Sequence, residues 1–296
     1  MAAWGLNVRC LTMKKEARLV NKIKRLLRRA NIPRFLHHFG PKKYEFYQHA
    51  LAFLIMRECR LGYRRVSRLL NDLGLETPSY SALAKMIARM PNVIWNKLLE
   101  ISNLQKLNIV AIDGSGFSRP LPSPYYYRRI DKPYPIDIPL KHSIAVDTRT
   151  RKIVAIRIRA KNSHDIKDAK YLIRRFPSEA KCLVADKAYD AEWLHQFCNE
   201  LGIKVCIPIR NYGKPRFKRW TLRRKSKCDQ RTYRRRTTVE CVFSATKRKF
   251  GASLSSVKIH TRRAEVYCRA LAHNIIFWIL KDFQRDRINH NWDLLM

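Results

Sequence analysis

Two aspartates of this sequence stand where buried strands would end. Asp113 closes the apolar run Asn108–Ile112 and Asp186 closes the run Lys181–Ala185, and small or polar residues follow each of them. If the two strands lie side by side and parallel, their carboxylates emerge at the same edge of a sheet. Carboxylates held so close repel each other unless a cation joins them, and Mg²⁺ accepts carboxylate oxygens together with water and phosphate. The pair therefore predicts a magnesium site for phosphodiester chemistry.

Taken singly, an acid at the end of a strand is more often a turn residue or a helix cap. Asp147 also ends an apolar run, but it leads straight into the turn signal DTRTR, so we expect it to be structural. Asp190 is expected to cap the helix that follows it rather than to bind a metal. His142 and His164 are not expected to be ligands, because a set of oxygen ligands suits Mg²⁺.

A third acid, in a basic segment, favours a shared metal site over the interpretation of the two aspartates as turn residues. Glu240 follows Tyr233 and Arg236 and precedes Lys247. On one continuous helix these four residues fall within an arc of roughly 60°. Arg236 can hold a phosphate with its planar fork and Lys247 as a point charge. The alternative is a solvated basic helix with one incidental acid, which the shared face disfavours.

The chain is basic along most of its length. It has 62 Lys and Arg against 23 Asp and Glu, which gives a formal net charge of +39. Phosphate backbones neutralise such a surface, and the released counterions favour binding, so nucleic acid is the first partner to consider. An acidic membrane, or simply a basic proteome, is the alternative explanation.

The eight cysteines form no CxxC pair and no regular framework, so zinc is not supported. Cys182 and Cys206 lie in apolar runs and are expected to be small buried hydrophobes in a reducing compartment. The most apolar late segment, Ala270–Leu280, is too short for a membrane span, and no signal peptide is recognised. We therefore expect an intracellular protein with no membrane partner.

The first hundred residues have helical periodicity. Lys14–Ala30 has one apolar face and one strongly basic face, and Lys43–Arg60 is another helical stretch. A short helix at Tyr63–Leu70 is followed by a break at Gly74 and Pro78 and by a second helix that runs to Met90, with Ser79 or Ser81 as its cap. This punctuation predicts a helix-turn-helix whose second helix enters the major groove of DNA. An ordinary helical hairpin is the alternative.

After Lys106 the periodicity changes to that of strands and crossover helices. Besides the strand that ends at Asp113, strands are predicted at His142–Val146, Lys152–Arg159, Lys181–Ala185 and Ile203–Pro208. Helices are predicted at 163–175, 191–201, 237–250 and 262–282. A meander followed by two parallel crossover strands fits an α/β fold with an RNase H-like mixed five-stranded sheet and flanking helices.

Two irregular segments are rich in aromatic residues. Pro120–Pro139 is predicted to be a long loop, too aromatic for a simple linker. The basic stretch Arg210–Arg236 carries Tyr212, Phe217 and Trp220 among its cations. Aromatic residues among cations suit unpaired bases, but packing against the sheet accounts for Trp220 equally well.

Together these residues resemble the DDE transposases of the insertion-sequence four and five group. The resemblance rests on the spacing Y-(2)-R-(3)-E-(6)-K, on DGS at Asp113–Ser115 and on DKAYD at Asp186–Asp190. Softer matches are KHSIAVDT at Lys141–Thr148 and NSHD at Asn162–Asp165, and the resemblance spans roughly Asn108 to Phe250. The interval between Asp186 and Glu240 is too short for the large β insertion that some relatives carry there. A DNA hairpin intermediate is therefore not inferred.

The resemblance implies a catalytic domain that uses Mg²⁺, as two ions, with Mn²⁺ as a substitute. The implied metal ligands are Asp113, Asp186 and Glu240. The implied contacts to the transposon-end DNA are Tyr233, Arg236 and Lys247. We expect the helical DNA-binding region at 1–105, the RNase H-like domain at 106–285 and a tail at 286–296.

The leading hypothesis is a transposase that binds terminal inverted repeats, hydrolyses the strand at the element's end and joins the freed 3′-hydroxyl to target DNA. Its partners would be double-stranded DNA and a second copy of the chain, at the nucleoid of a prokaryotic cytoplasm. Two rivals remain, an RNase H-like nuclease without strand transfer and a non-catalytic DNA-binding regulator. Terminal inverted repeats would favour transposition over the first, and the presence of all three acids counts against the second.

Overall fold

The computed structural model describes most of the chain, as residues 19–36, 42–103, 106–118, 123–134, 139–160, 163–176, 180–210, 221–226 and 228–275. Several predicted features lie outside the described residues, namely Asn162, Tyr212, Phe217, Trp220 and the tail at 286–296. Among the helices that are described, none combines the length and apolarity needed to cross a bilayer.

The chain divides into two compact units, Met1–Ser102 with Asn274–Met296, and Asn103–His273. The first unit is helical. Its helices are α1 over residues 19–29, α2 Phe46–Glu58, α3 Tyr63–Asp72, α4 Tyr80–Arg89 and α5 Asn92–Ile101. The helices predicted in this region are therefore present, within a few residues of the expected bounds.

Helices α3 and α4 form where apolar residues recur four positions apart. Val66 and Leu70 on α3, and Leu83 and Ile87 on α4, are almost completely buried. The predicted cap is confirmed, because the hydroxyl of Ser79 accepts a hydrogen bond from the amide of Ala82 at 3.4 Å. Burial of one stripe leaves the opposite faces of both helices to solvent.

The second unit contains the predicted mixed five-stranded sheet. Its strands are β1 Ile109–Phe117, β2 Leu140–Asp147, β3 Ile153–Arg159, β4 Cys182–Val184 and β5 Lys204–Cys206. They lie in the order β3-β2-β1-β4-β5. The pairs β1–β2 and β2–β3 are antiparallel, whereas β1–β4 and β4–β5 are parallel. A meander thus precedes two parallel crossover strands, as the element order predicts.

One boundary prediction is wrong in a way that affects the site. Asp113 does not end its strand, because β1 continues to Phe117, which pairs with Leu140 of β2. The pairing with β4 stops earlier, at Ala111 and Val184. Beyond that point, within the described residues, β1 is paired only on its β2 side. The edge of β1 that carries Asp113 is therefore open.

Several helices flank the sheet. They are α6 Pro124–Arg129, α7 Ile166–Ile173, α8 Glu192–Glu200, α9 Leu222–Lys225, α10 Gln230–Tyr233, α11 Thr237–Phe250 and α12 over residues 259–275. Turns of 3-10 helix lie at Lys187–Tyr189 and Arg234–Arg236. The predicted loop after β1 thus contains a short helix, α6, whose start is fixed by the hydroxyl of Ser123 accepting from the amide of Tyr126.

The core of this unit lies on both faces of the sheet. On one face, Val110 and Ile112 of β1 pack with buried residues of α7 and α8, such as Leu172 and Leu194. On the other, α11 packs against β1 and β2. Because side chains alternate along a strand, Asp113 belongs to the α11 face and Gly114 to the α7 face. The helices on both faces therefore reach the open edge of β1.

Candidate active site

Asp113 lies on β1, and Asp186 follows the neighbouring parallel strand β4. The β1–β4 register pairs Val110 with Leu183 and Ala111 with Val184, and each aspartate follows the last pair by two residues. The predicted adjacency of the two strands is therefore confirmed. The role of the two carboxylates as metal ligands stays a prediction.

The carboxyl of Asp113 is partly desolvated. Burial raises its pKa, and a hydrogen bond from the amide of Gly114, at 2.8 Å, opposes that shift. The carboxylates of Asp165 and Asp186 raise the pKa further, whereas the guanidinium of Arg236 lowers it. Several negative groups thus lie near Asp113, and the guanidinium of Arg236 partly offsets their charge.

Asp186 is the first residue after β4 that can carry chemistry. Its carboxylate accepts a hydrogen bond from the amide of Lys187 at 2.7 Å, which starts the 3-10 turn. The side chain is only partly buried. Its position is therefore set by the backbone of the turn, and the carboxylate remains accessible from solvent.

Glu240 is joined to the aspartates through Arg236. One guanidinium nitrogen of Arg236 lies 2.7 Å from a Glu240 carboxylate oxygen, and the other terminal nitrogen lies 4.0 Å from Asp113. The Glu240 side chain is half exposed, whereas that of Arg236 is mostly buried. A cationic group therefore already stands between the third acid and the first.

The segment before Glu240 differs from its prediction as one continuous α-helix. Helix α10 ends at Tyr233, a 3-10 turn covers Arg234–Arg236, and α11 begins at Thr237. The angle that one continuous α-helix gives for Tyr233 does not hold, because a 3-10 turn advances each residue further around the axis than an α-helix does. Arg236 directly precedes α11 and pairs with Glu240 four residues later, so the predicted shared face of these two residues is present.

Helix α11 itself has the predicted bounds and the predicted buried stripe. The stripe that packs on the sheet consists of Val239, Phe243, Thr246 and Phe250. Glu240 and Lys247 are seven residues apart and so lie on one face of the helix. The ammonium of Lys247 donates to the hydroxyl of Ser115, at 2.8 Å, two residues beyond Asp113. Lys247 thereby fixes α11 against β1.

Tyr233 belongs to a small apolar cluster on one face of strands β4 and β5. Its ring packs against Cys182, Val184 and Cys206. The guanidinium of Arg236 lies 6.0 Å from the centre of that ring. Tyr233 therefore supports Arg236 from the side of the sheet.

The three acids predicted as metal ligands have the right donor atoms for a divalent ion but are not gathered into one cluster. Within the described residues, no three acidic, histidine or cysteine side chains stand close enough to hold a metal ion together. The chemistry of the donors does fit, because Asp113, Asp186 and Glu240 all supply carboxylate oxygens, as Mg²⁺ requires. Between Asp113 and Glu240 the positive charge is supplied by the guanidinium of Arg236.

Asp165 lies at this edge although the sequence indicated only a helix start for it. It immediately precedes α7 as predicted, but its side chain makes no capping hydrogen bond. The carboxylate forms an ion pair with Lys141, whose side chain is mostly buried. The signal that the sequence did hold is the glycine directly after Asp113, because Gly114 leaves room for this carboxylate.

His142 is a buried, neutral ring under α11. It stacks on Phe117 at 4.5 Å between ring centres and meets the edge of Phe243 at 5.2 Å. Burial, and then the charge of Lys247, lower the pKa of His142 to about 3. The ring therefore stays neutral near pH 7 and serves packing. His164, the other histidine considered, is exposed.

Two further acids have structural partners. Asp147 accepts hydrogen bonds from the Arg149 amide at 3.1 Å and the Thr150 hydroxyl at 2.6 Å, so the predicted turn role is confirmed. The prediction that Asp190 caps α8 is wrong, since the cap residue is Ala191. Asp190 is instead buried against the guanidinium of Arg223. The sequence could not show this pair, because its members lie 33 residues apart.

Cys206 is buried as predicted, but it is not a free thiol. It is joined by a disulfide to Cys228, 22 residues later. The two residues meet because the segment before α10 runs along β5, where the Ser226 hydroxyl donates to the Val205 carbonyl at 2.5 Å. Cys182 is a buried free thiol, as expected. The disulfide ties β5 to the segment that leads into Tyr233 and Arg236.

Comparisons with known proteins identify a family and a similar solved structure. A family model described as the transposase DDE domain matches residues 104–275, a range that includes Asp113, Asp186 and Glu240. One similar solved structure is a piggyBac transposase synaptic complex with hairpin DNA. It has 9% sequence identity, a TM-score of 0.45, and coverage of 88% of this chain and 72% of that chain. No curated protein matches the sequence.

Proposed function

The chain belongs to the family of transposases that carry the DDE domain, and from that premise we propose that it is the transposase of an insertion sequence of the four and five group. Its reaction would be Mg²⁺-dependent cleavage of DNA at the element's ends, followed by joining of the freed 3′-hydroxyl to target DNA. The proposed catalytic residues are Asp113, Asp186 and Glu240.

One observation carries this proposal. Asp113 and Asp186 each follow the last residue pair of the parallel strands β1 and β4 by two residues, and Arg236 contacts both Asp113 and Glu240 of α11. Three carboxylates that are distant in sequence are thus linked, Asp113 to Asp186 through neighbouring strands and Asp113 to Glu240 through Arg236. A solvated basic helix with an incidental acid gives no reason for Arg236 to contact both Glu240 and Asp113.

The three carboxylates would hold the divalent ions of the reaction. Two such ions, when bound, activate the attacking oxygen and stabilise the leaving oxygen of a phosphodiester. Within the chain itself, the Gly114 amide fixes the orientation of the Asp113 carboxylate, and the Lys187 amide fixes that of Asp186. Fixed carboxylates lose little freedom when a cation binds.

Arg236 and Lys247 would contact the phosphates of the transposon end. The guanidinium of Arg236 can exchange its carboxylate partner for phosphate, because its planar fork suits both. Lys247 stands on the same helix face as Glu240 and donates to Ser115. Tyr233 would contact the DNA beside them. These residues would hold the scissile strand against the acids.

We propose that residues 1–105 recognise DNA and that 106–285 carry the catalytic domain. Helices α3 and α4 expose basic side chains opposite their buried stripes, namely Arg64, Arg65, Arg68, Lys85 and Arg89. Arg64 also lies 4.9 Å from the ring of Tyr80 at the start of α4. In a helix-turn-helix, α4 would enter the major groove. The net charge of +39 favours double-stranded DNA as the partner.

The test uses a plasmid that carries the gene together with its flanking DNA. The purified protein is expected to nick this plasmid in Mg²⁺ or Mn²⁺ and to join the ends to a second plasmid. Asp113→Asn should abolish nicking and joining and leave DNA binding unchanged. Asp131→Asn, which removes one exposed charge, should leave nicking, joining and DNA binding unchanged. Both substitutions alter the charge equally, so the pair separates chemistry from affinity.

Each alternative has its own result. Nicking without joined products would indicate a nuclease, and binding without nicking by the wild-type protein would indicate a DNA-binding regulator. Inverted repeats bounded by a short direct duplication in the flanking DNA would support transposition directly. A synaptic complex with two copies of the chain is the assembly expected on the paired ends.

A further inference from the structure

Helix α6 and the turn after it carry aromatic rings that do not serve the core. The tyrosines of this segment, residues 123–134, are Tyr125, Tyr126, Tyr127 and Tyr134. Tyr125 is 73% exposed, and Tyr126 and Tyr134 are each 48% exposed. No residue of α6 is buried. Aromatic side chains usually contribute large buried areas, so a group of exposed rings indicates a surface that another molecule covers.

The exposed rings are ordered by a third tyrosine. The ring of Tyr127, which is partly buried, lies edge-on to Tyr126 at 5.7 Å between ring centres and edge-on to Tyr134 at 5.4 Å. Edge-on contacts of this kind are a favoured geometry for aromatic pairs. Tyr127 therefore joins the helix to the chain that returns after it and leaves the faces of its neighbours accessible.

The backbone also holds the segment in one shape. At the end of α6 the amide of Asp131 donates to the carbonyl of Arg128 at 3.2 Å, and the amide of Lys132 donates to the carbonyl of Tyr127 at 3.1 Å. These two bonds, with the positive φ of 48° at Asp131, form the Schellman motif that closes many helices. The rings are thus carried by an ordered turn, and a ligand would meet a surface that is already formed.

Cations flank these rings. Arg128 and Arg129 lie in the last turn of α6 and Lys132 follows it, and all three are exposed. The one acid of the segment, Asp131, belongs to the closing turn, so the segment remains positive. A second copy of this chain, with its net charge of +39, would be repelled, whereas a polyanion would be attracted. The surface therefore suits an anionic partner that presents flat apolar faces.

The segment lies on the connection between β1 and β2. Strand β1 ends at Phe117, which pairs with Leu140 at the start of β2. Asp113 precedes Phe117 by four residues, which corresponds to about 13 Å along a strand. The chain thus enters the connection from the end of β1 that carries Asp113.

We propose that the rings of Tyr125, Tyr126 and Tyr134 form a stacking surface for unpaired bases of a DNA strand, and that Arg128 and Arg129 hold the phosphates of that strand. Every base has a flat face that can stack on an aromatic ring, and in a duplex those faces are covered by neighbouring bases. The planar fork of arginine suits phosphate. The proposal rests on the proposed function for the identity of the strand, namely the DNA that is cut near Asp113.

The experiment measures binding of the full-length protein, without divalent ions, to fluorescein-labelled oligonucleotides of equal length by fluorescence anisotropy. The oligonucleotides are a single strand with bases, an abasic single strand and a duplex. The wild-type protein is expected to bind the strand with bases about tenfold more tightly than the abasic strand, because stacking adds to the phosphate contacts. Equal affinity for the two single strands would overturn the proposal.

A double variant assigns this preference to the proposed surface. Tyr125→Leu combined with Tyr126→Leu keeps apolar side chains but removes two aromatic faces, so its affinity for the strand with bases should fall about tenfold. Its affinities for the abasic strand and the duplex should not change. Tyr125→Phe combined with Tyr126→Phe retains the faces and should bind as the wild-type protein does. Trp193→Leu, at an exposed aromatic residue of α8, is the matched control and should also bind normally.

Unchanged affinity of the leucine variant for the strand with bases would overturn the proposal. So would a loss of self-association in that variant without a loss of affinity, since the rings would then form a contact between copies. If the leucine variant does not fold, the comparison of the two single strands by the wild-type protein still decides. The proposed function fails separately, because a wild-type protein that prefers bases but does not nick DNA in Mg²⁺ would refute it and retain the stacking surface.

Discussion

Asp186 and Asp190 come from the same five residues, DKAYD, and have opposite environments. Asp186 precedes the 3-10 turn, is partly exposed and accepts a hydrogen bond from a backbone amide. Asp190 follows the turn, and its side chain is completely buried in an ion pair with Arg223. The Arg210 amide also donates to it at 2.6 Å. One turn of backbone therefore directs one acid to the open edge and the other into the interior.

The difference teaches how the same residue type acquires two roles. At the open edge, Asp113 and Glu240 share Arg236, and such partners can be exchanged for a metal ion or a phosphate. At the interior site, Asp190 and Arg223 satisfy each other after both have lost water. A buried pair of this kind contributes little net stability while intact, but the loss of one partner is costly. The open edge of β1 therefore suits the proposed reaction with DNA, whereas the buried pair Asp190–Arg223 suits a structural role.

The largest expected effect is on cleavage by the Asp186→Asn variant. Removal of the charge at the open edge should lower the rate of Mg²⁺-dependent nicking by roughly a thousandfold or more, because the divalent ions lose a ligand. The melting temperature should hardly change, since Asp186 is partly exposed. Nicking by this variant at the wild-type rate would contradict the comparison with Asp190.

For Asp190→Asn we expect the main effect on stability rather than on the rate of nicking. The change leaves the buried guanidinium of Arg223 without its counter-charge, which should cost about 3–5 kcal/mol in the free energy of unfolding. Chemical denaturation measures this loss. As a control, Asp190→Leu combined with Arg223→Met should be less destabilised than the sum of the single changes, because no unpaired charge remains.

The support beneath α11 should show a specific dependence on pH. His142 has a folded-state pKa of about 3, below its ordinary value of 6.5, so the unfolded chain binds the proton more readily. The contribution of His142 to the free energy of unfolding is present in full above pH 6.5 and is lost as the pH falls toward 3, by roughly 3 kcal/mol at pH 4. In His142→Leu this part of the acid-induced loss should disappear. Denaturation curves at pH 7 and pH 4 that differ equally in the two proteins would contradict the assignment.

A smaller effect is expected for Arg236, the exchangeable partner at the open edge. Arg236→Met should lower the nicking rate by about 10- to 100-fold, the effect of losing one or two charge-assisted hydrogen bonds to phosphate. Arg235→Met is the matched control, because Arg235 is the exposed neighbour in the same 3-10 turn. Equal losses in both variants would mean that only the general basic charge matters.

Much of the fold could be predicted from local patterns. The strand runs around Asp113 and Asp186 are continuous apolar segments, and helix α11 has an apolar stripe with the period of a helix. Their type and order follow from burial alone. The parallel pairing of β1 and β4 follows in turn. The meander makes β3 run in the direction of β1, and helix α7 is a crossover that brings β4 back in the direction of β3.

The predictions failed where partners are distant or where the pattern is silent. Arg234–Arg236 has no apolar residue to mark its period, so the 3-10 turn there could not be distinguished from an α-helix. The pair Asp190–Arg223 and the disulfide Cys206–Cys228 depend on how the segment after β5 folds back, which no local spacing records. The same holds for Asp165, whose place against Gly114 depends on its ion pair with Lys141 of β2.

The most direct test of the central claim is the rate of Mg²⁺-dependent nicking by Glu240→Gln, measured at protein concentrations that saturate the DNA. Glu240 is the acid that separates a three-acid centre from two turn residues, and at saturation a change in affinity cannot alter the rate. A single centre formed with Asp113 and Asp186 predicts that nicking is lost while DNA binding is retained. Nicking by Glu240→Gln at the wild-type rate would contradict it.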